Sequence, residues 1–181
     1  MKSDCTCQPC RGDRLFSIGV EDKEQMKKIL KVVAGIILIT GLASGCSMKS
    51  LMVQERVSPY GVEDTVKKIQ ANAKAIGWVS PGVKNMNKSI AKHGGNDIGG
   101  QVRIVELCNA QHASKILSKD EGRYSALLMP CAIAVYEKSD GNTYVSNMRA
   151  KDMGSMMGGV VSEVMADVDI DQQKILEFLP K

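Results

Sequence analysis

The clearest hydrophobic pattern in the sequence is a stripe of apolar positions at helical spacing between residues 62 and 76. Glu63 and Asp64 stand in the first turn of this stripe, and Gly77 follows its last apolar position. Acidic residues at the start and a glycine after the end both favour a helix with these bounds. The pattern therefore predicts an amphipathic helix that buries one face. Its apolar positions are Val62, Val66, Ile69, Ala73 and Ile76.

A second long helical pattern occupies the C-terminal part of the chain. Asp152 is a suitable N-cap, and apolar residues then recur at helical spacing as far as Val168. We expect a further, last helix over residues 171–179, before Pro180. Three glycines weaken the long helix, and we expect them to allow its close approach to the sheet. These glycines are Gly154, Gly158 and Gly159.

Short apolar or alternating runs bounded by turn residues predict the strands. The turn at 139–142 joins the last two strands as a hairpin. The polar segment 87–100 contains four glycines, and we expect it to be a mobile loop. Helices packed on one face of a mainly antiparallel sheet would give an α+β fold. The expected strands are 52–58, 78–86 with a break near Pro81 and Gly82, 101–108, 125–129, 131–138 and 143–148.

Residues 26–45 have the three parts of a secretory signal peptide. Lys27, Lys28 and Lys31 form a cationic head, an apolar run follows, and 43–45 supply the small residues that a signal peptidase needs. The apolar run is shorter than the roughly 20 residues that a membrane-spanning helix requires. We therefore predict a segment that is cleaved rather than one that spans the membrane.

Small residues followed directly by Cys46 resemble the bacterial lipobox, although Ala43 stands where leucine is commoner. This resemblance implies that Cys46 receives a diacylglycerol and that residues 46–54 form an acylated tether. We expect the remaining residues, 55–181, to form a single domain. Ser47 is not the aspartate that enterobacterial lipoproteins use for inner-membrane retention. The expected location is therefore the periplasmic face of the outer membrane. An ordinary signal peptide with a coincidental cysteine is the alternative.

Residues 1–25 would make a poor signal head, because they carry five acidic and four basic residues. We predict that translation starts at Met26 and that the preceding residues are a misassigned upstream start. Three cysteines in this segment lack a fourth ligand and a second cysteine pair, so we do not predict a zinc site there. These cysteines are Cys5, Cys7 and Cys10.

Charge and cysteine content narrow the possible functions. From Cys46 onward the chain has 17 Lys and Arg residues against 15 Asp and Glu residues, so no basic field would attract nucleic acid. A chain of this length buries its own core as one domain. If Cys46 is acylated, the remaining thiols are Cys108 and Cys131. An oxidising periplasm favours a disulfide between them, provided that their Cα atoms are close enough.

Two segments, 106–120 and 127–148, resemble the family catalogued as domain of unknown function 302. The similarity runs from about Val57 to about Phe178, and Ala110 departs from it, because many relatives have proline there. The resemblance implies a single α+β layer pair similar to half of the TATA-binding-protein fold. The family has no established activity. The resemblance depends on the Cys108-Asn109 step, the Pro130-Cys131 step, and the turn formed by Tyr136, Glu137, Asp140 and Gly141.

Cys108 ends a predicted strand directly before a predicted helix over 109–118, whose free N–H groups would favour a thiolate. His112 lies one turn into that helix. One hypothesis is thiol chemistry, with Cys108 as nucleophile, Cys131 as resolving partner and His112 as modulator. The other is that both cysteines fill the core or form a structural disulfide.

The histidines and methionines do not have the spacing of a recognised metal site, and methionines at helical spacing are usually core residues. We predict neither a metal nor a cofactor. The residues considered are His93, His112, Met129, Met153, Met156 and Met157.

The sequence does not indicate a reaction. The favoured hypothesis is a non-enzymatic, lipid-anchored periplasmic module that binds a small ligand or an envelope protein. The alternatives are thiol-based redox or sulfur-compound handling through Cys108 and Cys131, and a purely structural role in the envelope.

Overall fold

The computed structural model describes residues 48–180, which belong to a unit that spans Cys46–Lys181. The predicted upstream start, the predicted signal peptide and Cys46 lie outside the described residues. Across residues 48–180, none of the helices combines the length and the apolar composition needed to traverse a bilayer. The structure confirms an α+β fold that is built on an antiparallel sheet.

Five strands form the sheet of the described region, in the order β1-β5-β4-β3-β2 once numbered along the chain. All neighbouring pairs are antiparallel. The fourth and fifth strands form the predicted hairpin. The second strand of the chain has a register shift between Val79 and Gly82, where a break was expected. The strands are β1 (Val53–Ser58), β2 (Val79–Asn85), β3 (Val102–Cys108), β4 (Cys131–Glu137) and β5 (Thr143–Met148).

Helices precede and connect most of these strands, except within the β4–β5 hairpin, and two more follow the last strand. The first lies within the predicted tether, and the second is the amphipathic helix expected from the apolar stripe, with Ile76 at its C-cap. A 3-10 helix, Asp120–Leu128, precedes β4, and the Met129–Pro130 peptide bond that follows it is cis. The α-helices are α1 (Met48–Met52), α2 (Val62–Ala75), α3 (Met86–Lys92), α4 (Ala110–Leu117), α5 (Ala150–Met157) and α6 (Gly159–Ile175).

The prediction of a loop over 87–100 is wrong in its first part, which forms α3. Asn85 caps α3 by accepting the N–H of Lys88 at 3.0 Å. The side chain of Asn87 then bonds the backbone at both Gly100 (3.0 Å) and Val102 (2.9 Å). No residue of α3 is buried, so polar contacts rather than an apolar stripe hold it in place.

The prediction of a strand over 125–129 is also wrong, because residues 125–128 continue the 3-10 helix and Met129 is its C-cap. Ser125 is buried and donates a hydrogen bond to the carbonyl of Gly122 at 2.8 Å. Gly122 lies so close to Ile116 that a Cβ at residue 122 would be 2.6 Å from the carbonyl oxygen of Ile116. The local turn therefore packs against α4 instead of joining the sheet.

The single long helix expected from Asp152 is divided into α5 and α6. Gly158 has φ +70°, a left-handed conformation that ends α5 and separates it from α6. Gly154 allows close approach to α6 rather than to the sheet, since a Cβ there would be 2.4 Å from the Cβ of Met165. Asp152 is not the cap, because α5 begins at Ala150.

The separate last helix expected over 171–179 is absent, because α6 continues without a break to Ile175. Leu176 is its C-cap, and a turn follows. The apolar face of α6 joins the face of the sheet that carries Val105, Ile133 and Val145 in one core cluster. That cluster places α4 and α6 beside the ends of β3 and β4.

Candidate functional site

A narrow apolar pocket lies where β3 ends and β4 begins, between α4, the 3-10 helix and α6. Its cavity volume is about 50 Å³. The three residues predicted as a site, Cys108, Cys131 and His112, all line it. The pairing of β3 with β4 thus brings Cys131 to the same pocket as Cys108, although α4 and the 3-10 helix lie between them in the sequence.

Cys131 opens β4 opposite Leu107 in the register of the sheet. Burial, and after it the charge on a Cys108 thiolate, raise the pKa of the Cys131 thiol to about 11, although a hydrogen bond at its own backbone opposes the rise. Since the nucleophile of cysteine chemistry is the thiolate, Cys131 is a weak nucleophile at neutral pH.

Cys108 and Cys131 are both free thiols in the structure. Because Cys131 pairs with Leu107, Cys108 stands one residue beyond the directly opposed position. The two cysteines are therefore not directly opposed in the sheet, yet both line the same pocket. The structure holds them as two free thiols and not as the expected disulfide.

The N-terminus of α4 is capped as predicted by Asn109. Its side-chain oxygen accepts the N–H groups of Gln111 at 3.0 Å and of His112 at 3.2 Å. These N–H groups are among the donors that were expected to stabilise a Cys108 thiolate. Because Asn109 occupies them, this part of the expected stabilisation is not available to Cys108.

His112 is held in place by a carboxylate and an indole. Its Nε2 lies 3.1 Å from Oδ2 of Asp171, and Nε1 of Trp78 donates to the same oxygen at 3.0 Å. The rings of Trp78 and His112 are tilted, with centroids 5.7 Å apart. Lys174 binds the other oxygen of Asp171 at 3.3 Å. The imidazole therefore has a fixed position at the pocket.

The charge of Asp171 determines which nitrogen of His112 carries a proton. Burial raises the pKa of Asp171, but hydrogen bonds from Trp78, His112 and Lys174 and the charge of Lys174 together lower the pKa below its ordinary value. An ionised carboxylate only accepts hydrogen bonds. Nε2 of His112 must therefore donate to Asp171, which leaves Nδ1 as the acceptor of a neutral imidazole.

A buried polar pair adjoins the pocket. Gln172 is 4% exposed and lines the cavity, and its side-chain oxygen accepts a hydrogen bond from Nδ2 of Asn147 at 3.0 Å. With Asn109, Gln172 is one of the few polar groups in an otherwise apolar lining. Binding pockets commonly use such isolated polar groups to orient a ligand.

The structure does not assemble the histidines and methionines considered as metal ligands. Within residues 48–180, no group of three or more His, Cys, Asp or Glu side chains is arranged to hold a metal ion. Met129 lines the pocket, but Met156 is 66% exposed and His93 is exposed in the loop after α3.

Sequence reasoning missed Trp78, Asp171 and Gln172. Trp78 and Asp171 are 93 residues apart, so no local spacing links them. One signal was present, because Asp171 and Gln172 follow Val164 and Val168 at helical spacing on a face that is otherwise apolar. A charged or amide side chain at such a position needs a buried partner.

The fold and the pocket define an α+β domain with a five-stranded antiparallel sheet in its described region and a small apolar pocket at the ends of β3 and β4. The family model described as "Domain of unknown function DUF302" matches residues 54–179, so the chain belongs to the DUF302 family. This confirms the resemblance inferred from the steps at Cys108 and Cys131.

The crystal structure of an uncharacterized conserved DUF302 protein from Bacillus stearothermophilus is similar to this chain. The TM-score is 0.62 and the sequence identity is 20%, over 71% of this chain and 98% of that one. At this level of identity the similarity shows the fold alone. The comparison with curated proteins gave no match.

Proposed function

We propose that this domain is a non-enzymatic module that binds a small ligand in the pocket lined by Cys108, Cys131 and His112. The observation that carries the proposal is that all three side chains line one apolar cavity of about 50 Å³. An engineered cavity of about 150 Å³ holds benzene, so this one admits only a group of a few non-hydrogen atoms. The ligand is therefore very small, or it inserts one small apolar or sulfur-bearing group.

The groups around the cavity suit binding better than bond-breaking chemistry. Cys131 keeps its proton at neutral pH, and Asn109 takes N–H groups that would have stabilised a thiolate at Cys108. His112 is oriented by Asp171 and presents one free ring nitrogen. Thiols and an oriented imidazole in an apolar cavity supply contacts and one directional hydrogen bond.

A variant that fills the pocket tests this proposal. Ala113 lines the cavity, and Ala113→Leu places extra methyl groups there, while Ala126→Leu makes the same change at an exposed position on the 3-10 helix. Xenon and dimethyl sulfide, which have at most three non-hydrogen atoms, serve as probes in thermal melting. We expect both probes to raise the Tm of the wild type and of Ala126→Leu but not of Ala113→Leu. An equal rise in all three proteins, or no rise in the wild type, contradicts the proposal.

We also propose that the module is anchored by acyl chains on Cys46 at the periplasmic face of the outer membrane. The support is the lipobox-like sequence, since two or three acyl chains at about 0.8 kcal/mol per buried CH₂ anchor a protein stably. Intact mass spectrometry of the wild type should give an acylated chain that starts at Cys46. The Cys46→Ser variant should be lost from the membrane fraction, whereas the Cys108→Ser variant should remain in it. A wild-type chain with an unmodified Cys46 contradicts the anchor.

Thiol redox chemistry is the second candidate, because Cys108 and Cys131 line one pocket and the charge of one raises the pKa of the other. In that reaction the two thiols reduce an external disulfide. The protein gains one S–S bond, and the external disulfide becomes two thiols with the two protons and two electrons released. Oxidised glutathione is a suitable probe. Loss of two hydrogen masses from the wild type but not from Cys131→Ser would support this candidate. An unchanged mass would exclude it for this probe.

A further inference from the structure

A second cavity, which shares no lining residue with the apolar pocket, lies between β1 and the helices α5 and α6. It is a polar cleft with a volume of about 780 Å³. Small-molecule sites commonly occupy about 300–1,000 Å³, so this cleft has room for a whole metabolite-sized ligand. Its basic residues are Arg56, Arg149 and Lys151, and its acidic residues are Asp152, Asp169 and Glu177.

Arg56 extends into this cleft from the edge strand β1. Its Nε is buried and has no hydrogen-bond partner among the described residues. Burial lowers the pKa of Arg56, which shows that its guanidinium is partly removed from water. A buried N–H donor without a partner is unfavourable, so a conformation in which a ligand oxygen accepts a hydrogen bond from it is stabilised.

Arg149 also lines the cleft and has the same kind of buried Nε as Arg56. Its Nε is also buried without a hydrogen-bond partner in residues 48–180. The ion pair of Arg149 with Asp152 is long, at 3.9 Å, and it leaves Nε unused. Two arginines that line one cleft thus each have a buried Nε without a hydrogen-bond partner among the described residues.

The acidic residues of the cleft do not satisfy these donors. Asp169 accepts a hydrogen bond from Nε2 of Gln173 at 2.7 Å and lies 3.5 Å from the backbone N of Lys151. Glu177 is exposed at the end of α6. With three basic and three acidic side chains the cleft has no net charge, so recognition depends on the two guanidinium groups rather than on a long-range field.

The N-terminus of α5 adds to the same side of the cleft. Arg149 is its N-cap residue and makes no side-chain cap hydrogen bond, while Lys151 in the first turn donates its backbone N–H to Asp169 at 3.5 Å. The partial positive charge of a helix N-terminus favours an anion. The partial charge of the helix N-terminus adds to the attraction of the two arginines for an anion. The helix N-terminus alone would not define a site.

We propose that this cleft binds the oxyanion group, carboxylate or phosphate, of a ligand between Arg56 and Arg149. A guanidinium offers a planar fork of N–H donors that matches both oxyanions, and lysine cannot provide that fork. Bound in this way, the oxyanion accepts hydrogen bonds from the guanidinium groups of both arginines. The proposal does not depend on the apolar pocket.

The experiment follows the Nε–Hε signals of the arginines by NMR in the full chain while ligands are added. Sodium phosphate and sodium succinate are the soluble probes, and vesicles that contain phosphatidylglycerol present the same chemistry as a lipid headgroup. We expect the signals of Arg56 and Arg149 to shift with at least one probe, while the signal of Arg123 does not. Arg123 is the control because it is exposed and pairs with Asp120 outside the cleft. A shift with vesicles alone identifies the headgroup as the source of the oxyanion.

Variants that keep the charge test the role of the guanidinium fork. Arg56→Lys and Arg149→Lys should each weaken binding of the active probe by about tenfold or more, and Arg123→Lys should leave it within about twofold. The proposal is overturned if no probe shifts the Nε signals of Arg56 and Arg149. It is also overturned if the two lysine variants bind as the wild type does. The wild-type titration needs no variant, so a folding defect in a variant does not prevent the test.

Discussion

Cys131 lines a cavity, yet it is buried enough that its pKa rises to about 11. Burial is the larger cause, and the charge of Cys108 is the second. A thiol with this pKa can contact a ligand but is almost entirely protonated at neutral pH. The same residue therefore supports a binding role and weakens the case for thiol catalysis.

The rate at which iodoacetamide alkylates Cys131 tests this description. In a Cys108→Ser variant the charge of Cys108 is removed, but burial remains. The alkylation rate should therefore keep rising as the pH increases past 9.0, the ordinary pKa of a thiol. The rate at Cys131 is followed by peptide mass spectrometry, with the urea-unfolded variant as control. A rate that levels off near pH 9 in both the folded and unfolded chains would show that burial does not hold the proton.

Asp171 connects Trp78, His112 and Lys174, so its removal should destabilise the fold. In Asp171→Ala the indole N–H of Trp78, a residue only 3% exposed, loses its acceptor. We expect the free energy of unfolding in urea to fall by about 1–3 kcal/mol. Asp167→Ala, at an exposed position of the same helix, should change it by less than about 0.5 kcal/mol. Equal effects would show that the Asp171 contacts do not stabilise the fold.

The lowered pKa of Asp171 gives the same contacts a pH dependence. A carboxyl with a lower pKa in the folded state stabilises the protein above its unfolded-state pKa, about 3.8, and loses this contribution as the pH falls through the folded-state pKa. The difference in stability between the wild type and Asp171→Ala should therefore shrink below pH 3.8. A difference that stays constant from pH 7 to pH 3 would contradict the ionised state of Asp171.

At the scale of elements, those with a buried face could be predicted from the sequence. The apolar stripe of α2 and the alternation of the β4–β5 hairpin gave the correct elements, because burial imposes a period on the residues. By contrast, α3 has no buried residue and is held by hydrogen bonds of Asn85 and Asn87. The 3-10 helix depends on the close contact of Gly122 with Ile116, which no local pattern encodes.

The contact of α5 with α6 gives a prediction at this scale. Gly154→Ala places a Cβ 2.4 Å from the Cβ of Met165, which is far closer than carbon atoms can approach. The cost of overpacking, about 1–3 kcal/mol, should exceed the gain of up to about 1 kcal/mol in helix propensity. Urea unfolding should show net destabilisation, whereas Ser155→Ala at the next, exposed position should be nearly neutral. A stabilised Gly154→Ala variant would mean that the two helices are not in such close contact.

For the whole molecule, the sequence predicted three site residues and the structure adds the groups that position them. Cys108, His112 and Cys131 were accessible to prediction because they stand at the β3–α4 boundary and at the start of β4. The pairing of β3 with β4 then brings them to one pocket. Trp78 and Asp171 could not be paired from the sequence, because they are 93 residues apart and only the packing of α6 into the common core brings them together.

The cleft of Arg56 and Arg149 was not predicted either. Its residues come from β1, the start of α5 and the end of α6, and none of them forms a motif. Their unsatisfied Nε donors become visible only when burial and hydrogen bonds are known. The molecule thus has an apolar pocket and a separate polar cleft.

The central claim is that the apolar pocket is a ligand site, and native mass spectrometry of the full chain purified from bacterial membranes tests it most directly. We expect the wild type and Ala126→Leu to carry an additional small mass that is released on collisional activation. The filled pocket of Ala113→Leu should lack it. If all three proteins show only the mass of the chain, or all three keep the same additional mass, the pocket is not the binding site.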